Sequence, residues 1–144
     1  HLISDSLISK NGLPNDFNDS SSNDSILKQK ALSIILKKCA KHQCPIEIEV
    51  FGIGVRQYYR GQIKKVVNFG PWENILDKEF NLHVLSNEID KVLAKEIKIS
   101  AKLHYIFDFF DNRADLVMRI SILKSPEKQF EIMINEIKEE CNVE

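Results

Sequence analysis

Residues 61–85, GQIKKVVNFGPWENILDKEFNLHVL, form the stretch that decides the fold. At its end Phe80, Leu82 and Val84 occupy every second position, and successive side chains of a strand point to opposite faces. We therefore predict that these three face the core and that His83 lies on the other face. A neutral imidazole can offer a lone pair to a metal there, although one His alone does not specify a metal site. A half-exposed sheet histidine without a ligand is the alternative.

Length and composition place the chain among globular proteins with one core. It has 144 residues, 43% hydrophobic and 28% charged, with a formal net charge of −1. This balance gives no basic field for nucleic acid or an anionic membrane, and no apolar run approaches the ~20 residues that span a bilayer. The three cysteines have no framework spacing, and no secretory signal is recognisable. We therefore predict a cytoplasmic protein.

Two segments organise the chain. Residues 1–25, rich in Asn, Asp and Ser, are predicted to be a flexible tail or linker, because they offer too few apolar groups to offset the entropy of ordering. Residues 26–144 are predicted to form a single domain. Its first helix is expected to begin with Ser25 as the N-cap and to end before Pro45.

Alternating polarity predicts a series of strands. In 46–51 the pattern places Ile46, Ile48 and Val50 inward and Glu47 and Glu49 outward. Further strands are predicted at 55–59, 61–68, 80–85, 103–110 and 115–123, and a helix is predicted to start near Ser125-Pro126 and to end near Cys141. Residues 86–98 have helical composition, so their pattern leaves helix and strand open. The fold class is α+β, with an antiparallel sheet of about seven strands and flanking helices.

Several short motifs occur in an order and spacing that are more specific than any one of them. They are I-E-V-F at 48–51, G-x-I-x-x-V at 61–66, G-P-W-x-N-I at 70–75, F-N-L-H at 80–83 and F-F-D-N-R-A at 109–114. Together they resemble the HemS/ChuX haem-utilisation family over residues 36–138. The resemblance implies a turn at 86–88 followed by a strand through Val92. It also implies either a compact member that forms a homodimer or one half of a protein with two tandem copies.

The resemblance further implies a function and a site. Members of the family bind haem in a cleft at the sheet surface, pass it on within the cytoplasm, and in some cases open the ring. His83 matches a strand histidine of the family, so it is the predicted iron ligand and the only metal-ligating residue we assign. Lys95 or Lys98 is expected to pair with a haem propionate, and Trp72 and Arg56 complete the predicted haem-binding residues.

One departure from the family pattern keeps other functions open. Many members have an Arg-Lys-Pro run where this chain has Lys95-Glu96-Ile97-Lys98, and Glu96 is a poor replacement for a propionate-binding Arg. A haem-free scaffold or regulatory protein that kept the fold is therefore the alternative to a haem carrier. An enzyme acting on another tetrapyrrole or small ligand is a third possibility.

Overall fold

The computed structural model of the chain describes residues 25–27 and 30–141. Two helices and nine strands account for most of them. The elements are β1 (Ser25–Leu27), α1 (Ala31–Lys41), β2 (Ile46–Gly52), β3 (Val55–Gly61), β4 (Val66–Phe69), β5 (Trp72–Leu76), β6 (Asn81–Leu85), β7 (Ile89–Ile99), β8 (Lys102–Asp111), β9 (Leu116–Leu123) and α2 (Lys128–Cys141). A 3-10 turn over Ser86–Glu88 joins β6 to β7. Residues 1–24 lie outside the described residues, and with them nearly all of the predicted tail.

The strands form two antiparallel sheets. The main sheet has six strands in the order β1-β7-β8-β9-β2-β3, and the small sheet has three in the order β4-β5-β6. The α+β class and the antiparallel pairing are confirmed. The predicted count of about seven strands is roughly in line with the nine observed, which are divided between two sheets.

The main sheet buries one face under a layer that contains both helices and the small sheet. Side chains from β2, β8 and β9 meet apolar residues of both helices in one core cluster. The small sheet contributes Ile75, Leu82 and Val84 to this core, as the alternation of Phe80, Leu82 and Val84 predicted. The rings of Phe80 and Tyr59 stack with their centroids 4.2 Å apart, which ties the small sheet to β3.

The first helix begins later than predicted. Ser25 is not an N-cap, because Ser25–Leu27 forms β1 and pairs with β7 through Ile26↔Leu93. The N-cap of α1 is Lys30, which makes no side-chain capping hydrogen bond. β1 extends the main sheet at the β7 edge, and Leu27 is buried while Ile26 is 55% exposed. The tertiary contact therefore overrides the local capping signal.

The predicted strand at 61–68 is also shorter than expected. Only Val66–Phe69 is a strand, because the backbone N–H groups of Lys64 and Lys65 donate to the carboxylate of Asp77 instead of to a neighbouring strand. Gly61 has φ +155°, and a Cβ at this position would lie 2.8 Å from the Tyr59 hydroxyl. Glycine thus lets the chain leave the main sheet here and start the small one.

Residues 86–98 resolve to the turn and strand that the resemblance implied. Ser86–Glu88 is the turn, and β7 extends further, to Ile99. Pairing with β8 along nearly the whole of its length stabilises this strand despite its helical composition.

The other face of the main sheet carries buried charges. Arg119 donates two hydrogen bonds to Asp108, at 2.6 and 2.8 Å, and Nζ of Lys95 lies 3.4 Å from Oδ2 of Asp108. Glu49, predicted to point to solvent, is cross-strand from Arg119 and buried. Burial raises the pKa of Glu49, against the opposing effects of Arg119 and Arg56. The prediction that Glu49 is exposed to solvent was wrong, because the charged side chains on this face of the main sheet are themselves buried.

Candidate haem-binding face

The small sheet has one face in the core and one that faces away from it. Its register aligns three cross-strand rows: Phe69–Trp72–Leu85, Val67–Asn74–His83, and Leu76–Asn81. The face carried by these rows is called here the outer face. His83 and Trp72 are both on the outer face, in adjacent rows. The structure therefore brings these two predicted site residues together.

The hydrogen bonds of Asn74 fix the chemistry of His83. Nδ2 of Asn74 donates to the Val67 carbonyl at 3.0 Å, which turns Oδ1 toward the ring of His83. Nδ1 of His83 lies 2.7 Å from this Oδ1, and an amide oxygen only accepts, so the ring must donate from Nδ1. In the neutral ring the lone pair is then on Nε2. His83 is exposed, and a ligand can reach that nitrogen.

Large apolar side chains surround His83 on the outer face. Phe69, Trp72 and Leu76 are 78%, 41% and 36% exposed, and Val67 and Leu85 are partly buried beside them. Single exposed apolar residues are ordinary, but a set of them on one sheet face marks a binding surface. The outer face therefore offers a flat apolar area with one accessible nitrogen.

A cation lies at the edge of this area. The carbonyl of Lys65 accepts a hydrogen bond from the N–H of Leu76 at 2.9 Å, which extends the β4–β5 pairing by one row. Alternation with Val67 then places Lys65 on the outer face, where it is exposed. An ammonium group there can pair with a carboxylate of a ligand bound over His83.

The other three predicted site residues lie elsewhere in the chain. Lys95 is on the charged face of the main sheet, in its ion pair with Asp108. Arg56 is on that same face, with its Cζ 4.9 Å from the centroid of the Phe51 ring. Lys98 is exposed near the end of β7 and is cross-strand from Leu103. Within one chain these residues do not share a face with His83.

Glu96, which departs from the family pattern, has a structural contact. Its carboxylate lies 3.6 Å from Nζ of Lys138 and so links β7 to α2. It faces the helices, and this position is therefore not part of the outer face.

His104 is the other strand histidine. It lies on β8 between Ile97 and Leu123 and is half-buried. Burial lowers its pKa, with Glu47 and Lys102 acting in opposite directions. Across residues 25–27 and 30–141, no three or more His, Cys, Asp or Glu side chains converge as a metal site would require. A metal held by several protein ligands thus has no site in the described part of the chain.

Sequence reasoning did not single out Asn74, Lys65 or Phe69 on the outer face. Asn74 belongs to the quoted G-P-W-x-N-I motif, but its contact with His83 depends on the β5–β6 register, which the length of the turn after Leu76 sets. Lys65 was placed in the predicted strand at 61–68, but the sheet face of its side chain was not predicted. A register deduced from the turn would have placed Asn74 beside His83 and Lys65 on the same face of the sheet.

Comparison with known proteins identifies the family. The model of the haemin-degrading HemS/ChuX domain matches residues 21–136. The chain belongs to this family. Its membership supports haem as the ligand. No curated protein matches the chain.

Solved structures share the HemS/ChuX fold at low identity. ChuS, described as an Escherichia coli haem oxygenase, superposes with a TM-score of 0.70 at 20% identity, over 79% of this chain and 36% of its own. Holo-PhuS, a haem-binding protein of Pseudomonas aeruginosa, gives 0.68 at 19% identity, over 76% and 33%. ChuX gives 0.64 at 11% identity, over 82% and 79%. The chain thus spans about a third of the length of ChuS and PhuS and most of the length of ChuX. None of the helices in the described ranges has the length and apolar content to cross a membrane.

Proposed function

We propose that this chain is a haem-binding protein of the cytoplasm that carries haem between other proteins, and that it binds haem on the outer face. The observation that carries the proposal is the Asn74–His83 hydrogen bond, because it leaves Nε2 of an exposed histidine free within an apolar surface. Haem needs only axial ligands from a protein, since the porphyrin supplies the others. The residues of the outer face fit this requirement.

Five residues of the outer face have a defined part in the proposal. His83 presents Nε2 to the iron, and Asn74 holds the ring in the Nδ1–H tautomer, as partners of metal-binding histidines commonly do. Phe69 and Trp72 cover the porphyrin and exclude water from one side. Lys65 pairs with a propionate. Bound haem would supply a redox-active iron, and these side chains would bind and orient it.

A second copy of the unit is part of the same proposal. One outer face covers one side of a planar ligand and leaves the other side to solvent. Lys98 and Arg56, which lie away from His83 within one chain, would meet haem only if a second copy presents them. We therefore propose a homodimer, or a second unit in a longer chain, as the functional form.

The test is a haemin titration followed by absorbance. The wild-type protein is expected to give a sharpened Soret band that saturates near one haem per chain, with a Kd on the order of micromolar or tighter. His83→Ala is expected to weaken or shift this band. His104→Ala, the matched control on the other sheet, should behave as the wild type. If His104→Ala alone changes the band, the iron ligand is on the main sheet and the proposed face is wrong.

The haem-free scaffold is the second candidate, and Glu96 is the observation that favours it. Glu96 forms an ion pair with Lys138, at a position where many members of this family carry a basic residue. An acidic side chain there cannot pair with a haem propionate. If haemin gives the free-haem spectrum with both the wild type and His83→Ala, the scaffold is the better account. Adding ascorbate in air to the haem-loaded protein separates a carrier from an enzyme: an enzyme opens the ring with dioxygen and the electrons of ascorbate, so that a bile-pigment spectrum replaces the Soret band, whereas a carrier yields no bile pigment.

A further inference from the structure

A cavity lies on the opposite side of the small sheet from His83. It has a volume of about 460 Å³, is open to solvent on one side, and is lined by the start of α1, by β4 and β5, and by the turn before β7. Leu32, Ile34 and Ile89 form its apolar wall, and Ser33 lines it from the helix. The space is large enough for a small organic molecule.

A buried carboxylate faces this cavity. Glu73 lines it and is only 2% exposed. Asn68, cross-strand from Glu73, donates a hydrogen bond from Nδ2 to its Oε2. Oε1 is buried and has no hydrogen-bond partner among the residues that the structure describes. One half of the carboxylate is thus satisfied by the protein, and the other half is not.

The packing of the chain does not explain this arrangement. Buried polar atoms are nearly always hydrogen-bonded, and an unpaired carboxylate oxygen is among the costliest to leave without a partner. Lys30 also lines the cavity, but it is exposed and forms no ion pair with Glu73 among the described residues. An apolar side chain at position 73 would fill the core face of β5 without this cost. The unsatisfied oxygen therefore points to a donor outside the residues that the structure describes.

We propose that this cavity binds a small primary amine, with its ammonium group donating to Oε1 of Glu73 and a short alkyl chain against Leu32, Ile34 and Ile89. A charged donor matches an ionised acceptor better than a neutral one does. The apolar wall formed by Leu32, Ile34 and Ile89 suits methylene groups.

This site is separate from the proposed haem face. Glu73 and His83 are on opposite faces of the same small sheet, since Glu73 is paired with Val84 and Asn74 with His83. Binding of an amine is therefore expected to be independent of the His83 ligand, and the two proposals can fail separately.

The test is the thermal midpoint of the full chain in the presence of n-butylammonium chloride. At about ten times the Kd, the midpoint should rise by roughly 4 °C for a domain of this size. The same concentrations of 1-butanol, which keeps the alkyl chain but lacks the charge, and of sodium chloride, which keeps the ionic strength, should have less than half that effect.

Variants separate this site from general solvent effects. Glu73→Gln should remove most of the rise, and Ser33→Leu, which fills the cavity from α1 without touching the carboxylate, should remove it even if Glu73→Gln does not fold. His83→Ala should keep it. The proposal is overturned if butylammonium gives no rise, if sodium chloride or butanol matches it, or if the rise persists in both cavity variants.

Discussion

At the scale of single residues, the Asn74 side chain determines which nitrogen of His83 carries the proton. Its amide is oriented by the Val67 carbonyl, so the orientation of the ring depends on a backbone contact two strands away from His83 itself. A histidine without such a partner exchanges between two tautomers and several rotamers. A fixed one loses less freedom when it binds a metal.

Replacing Asn74 should therefore weaken haem binding without removing the ligand. In Asn74→Leu the ring of His83 loses its acceptor, and the haem affinity is expected to fall about tenfold, as is typical when the partner of a metal-binding histidine is removed. Asn81→Leu is the matched control, because Asn81 is exposed on the same face one row away. Haemin titrations of both variants, with circular dichroism to check folding, measure the effect. Equal affinities would show that the hydrogen bond has no part in binding.

The buried Asp108–Arg119 pair contributes to stability only as long as both charges are present. Both side chains are almost fully buried and joined by two hydrogen bonds, and Lys95 shares the carboxylate. Removing one member of a buried pair leaves the other charge without compensation.

Asp108→Asn is thus expected to lower the free energy of unfolding by about 3–5 kcal/mol, because Arg119 stays charged and loses its ionised partner. Asp115→Asn, at an exposed position of the β8–β9 turn, should change it by less than about 0.5 kcal/mol. Urea denaturation of the two variants and the wild type is the measurement. If Asp108→Asn lowers the free energy of unfolding no more than Asp115→Asn does, a buried Arg119 does not need its carboxylate partner.

At the scale of elements, alternation predicted most strands but not their ends. The strands over 46–51, 80–85 and 103–110 were foreseen, because each has several residues of regular alternation. β1 was not, since three residues carry no periodic signal, and its pairing with β7 is a contact between distant parts of the chain. The segment 62–65 was assigned to a strand because its sequence does not reveal that Asp77 accepts two of its N–H groups.

The same limit applied to the candidate site. The face of His83 followed from the alternation of its neighbours, but its partner Asn74 depended on the register between two strands. Glu49 was expected in solvent because a local pattern does not show that Arg119 lies across from it. Contacts across strands, rather than the strands themselves, are what the sequence left undetermined.

The two residues of β1 with opposite exposure test its assignment. Leu27→Ala removes a buried side chain and is expected to cost about 2–4 kcal/mol of unfolding free energy, whereas Ile26→Ala, on the exposed side, should cost less than about 1 kcal/mol. Chemical denaturation monitored by the fluorescence of Trp72 provides both values. Equal losses would contradict the alternation expected of a paired strand.

At the scale of the whole molecule, the two sheets give the chain three distinct surfaces. The helices and the small sheet cover one side of the main sheet, the charged network lies on its other side, and the outer face of the small sheet is directed away from the core. The predicted basic residues are therefore spread over the molecule. Lys65, which was not among the predicted site residues, lies on the proposed haem face.

This distribution gives a matched pair of charge variants. Lys65→Gln is expected to reduce haem affinity severalfold, because an exposed ion pair with a propionate contributes up to about 1 kcal/mol. Lys98→Gln should leave affinity within about twofold at protein concentrations where the chain is monomeric, and should reduce it only if a dimer brings Lys98 to the haem of its partner. Titrations at low and high protein concentration distinguish the two cases. If Lys98→Gln lowers the haem affinity of the monomer more than Lys65→Gln does, the propionates do not lie at Lys65 and the proposed orientation of haem is wrong.

The central claim is that Nε2 of His83 binds the iron, and restoring a missing imidazole tests it most directly. His83→Gly should bind haemin weakly and with a shifted Soret band, since the axial ligand is gone and a space remains above the sheet. Adding free imidazole, at concentrations that do not change the spectrum of the wild type, is expected to bring the wild-type band back. A His83→Gly variant whose band already equals that of the wild type before imidazole is added would contradict the account.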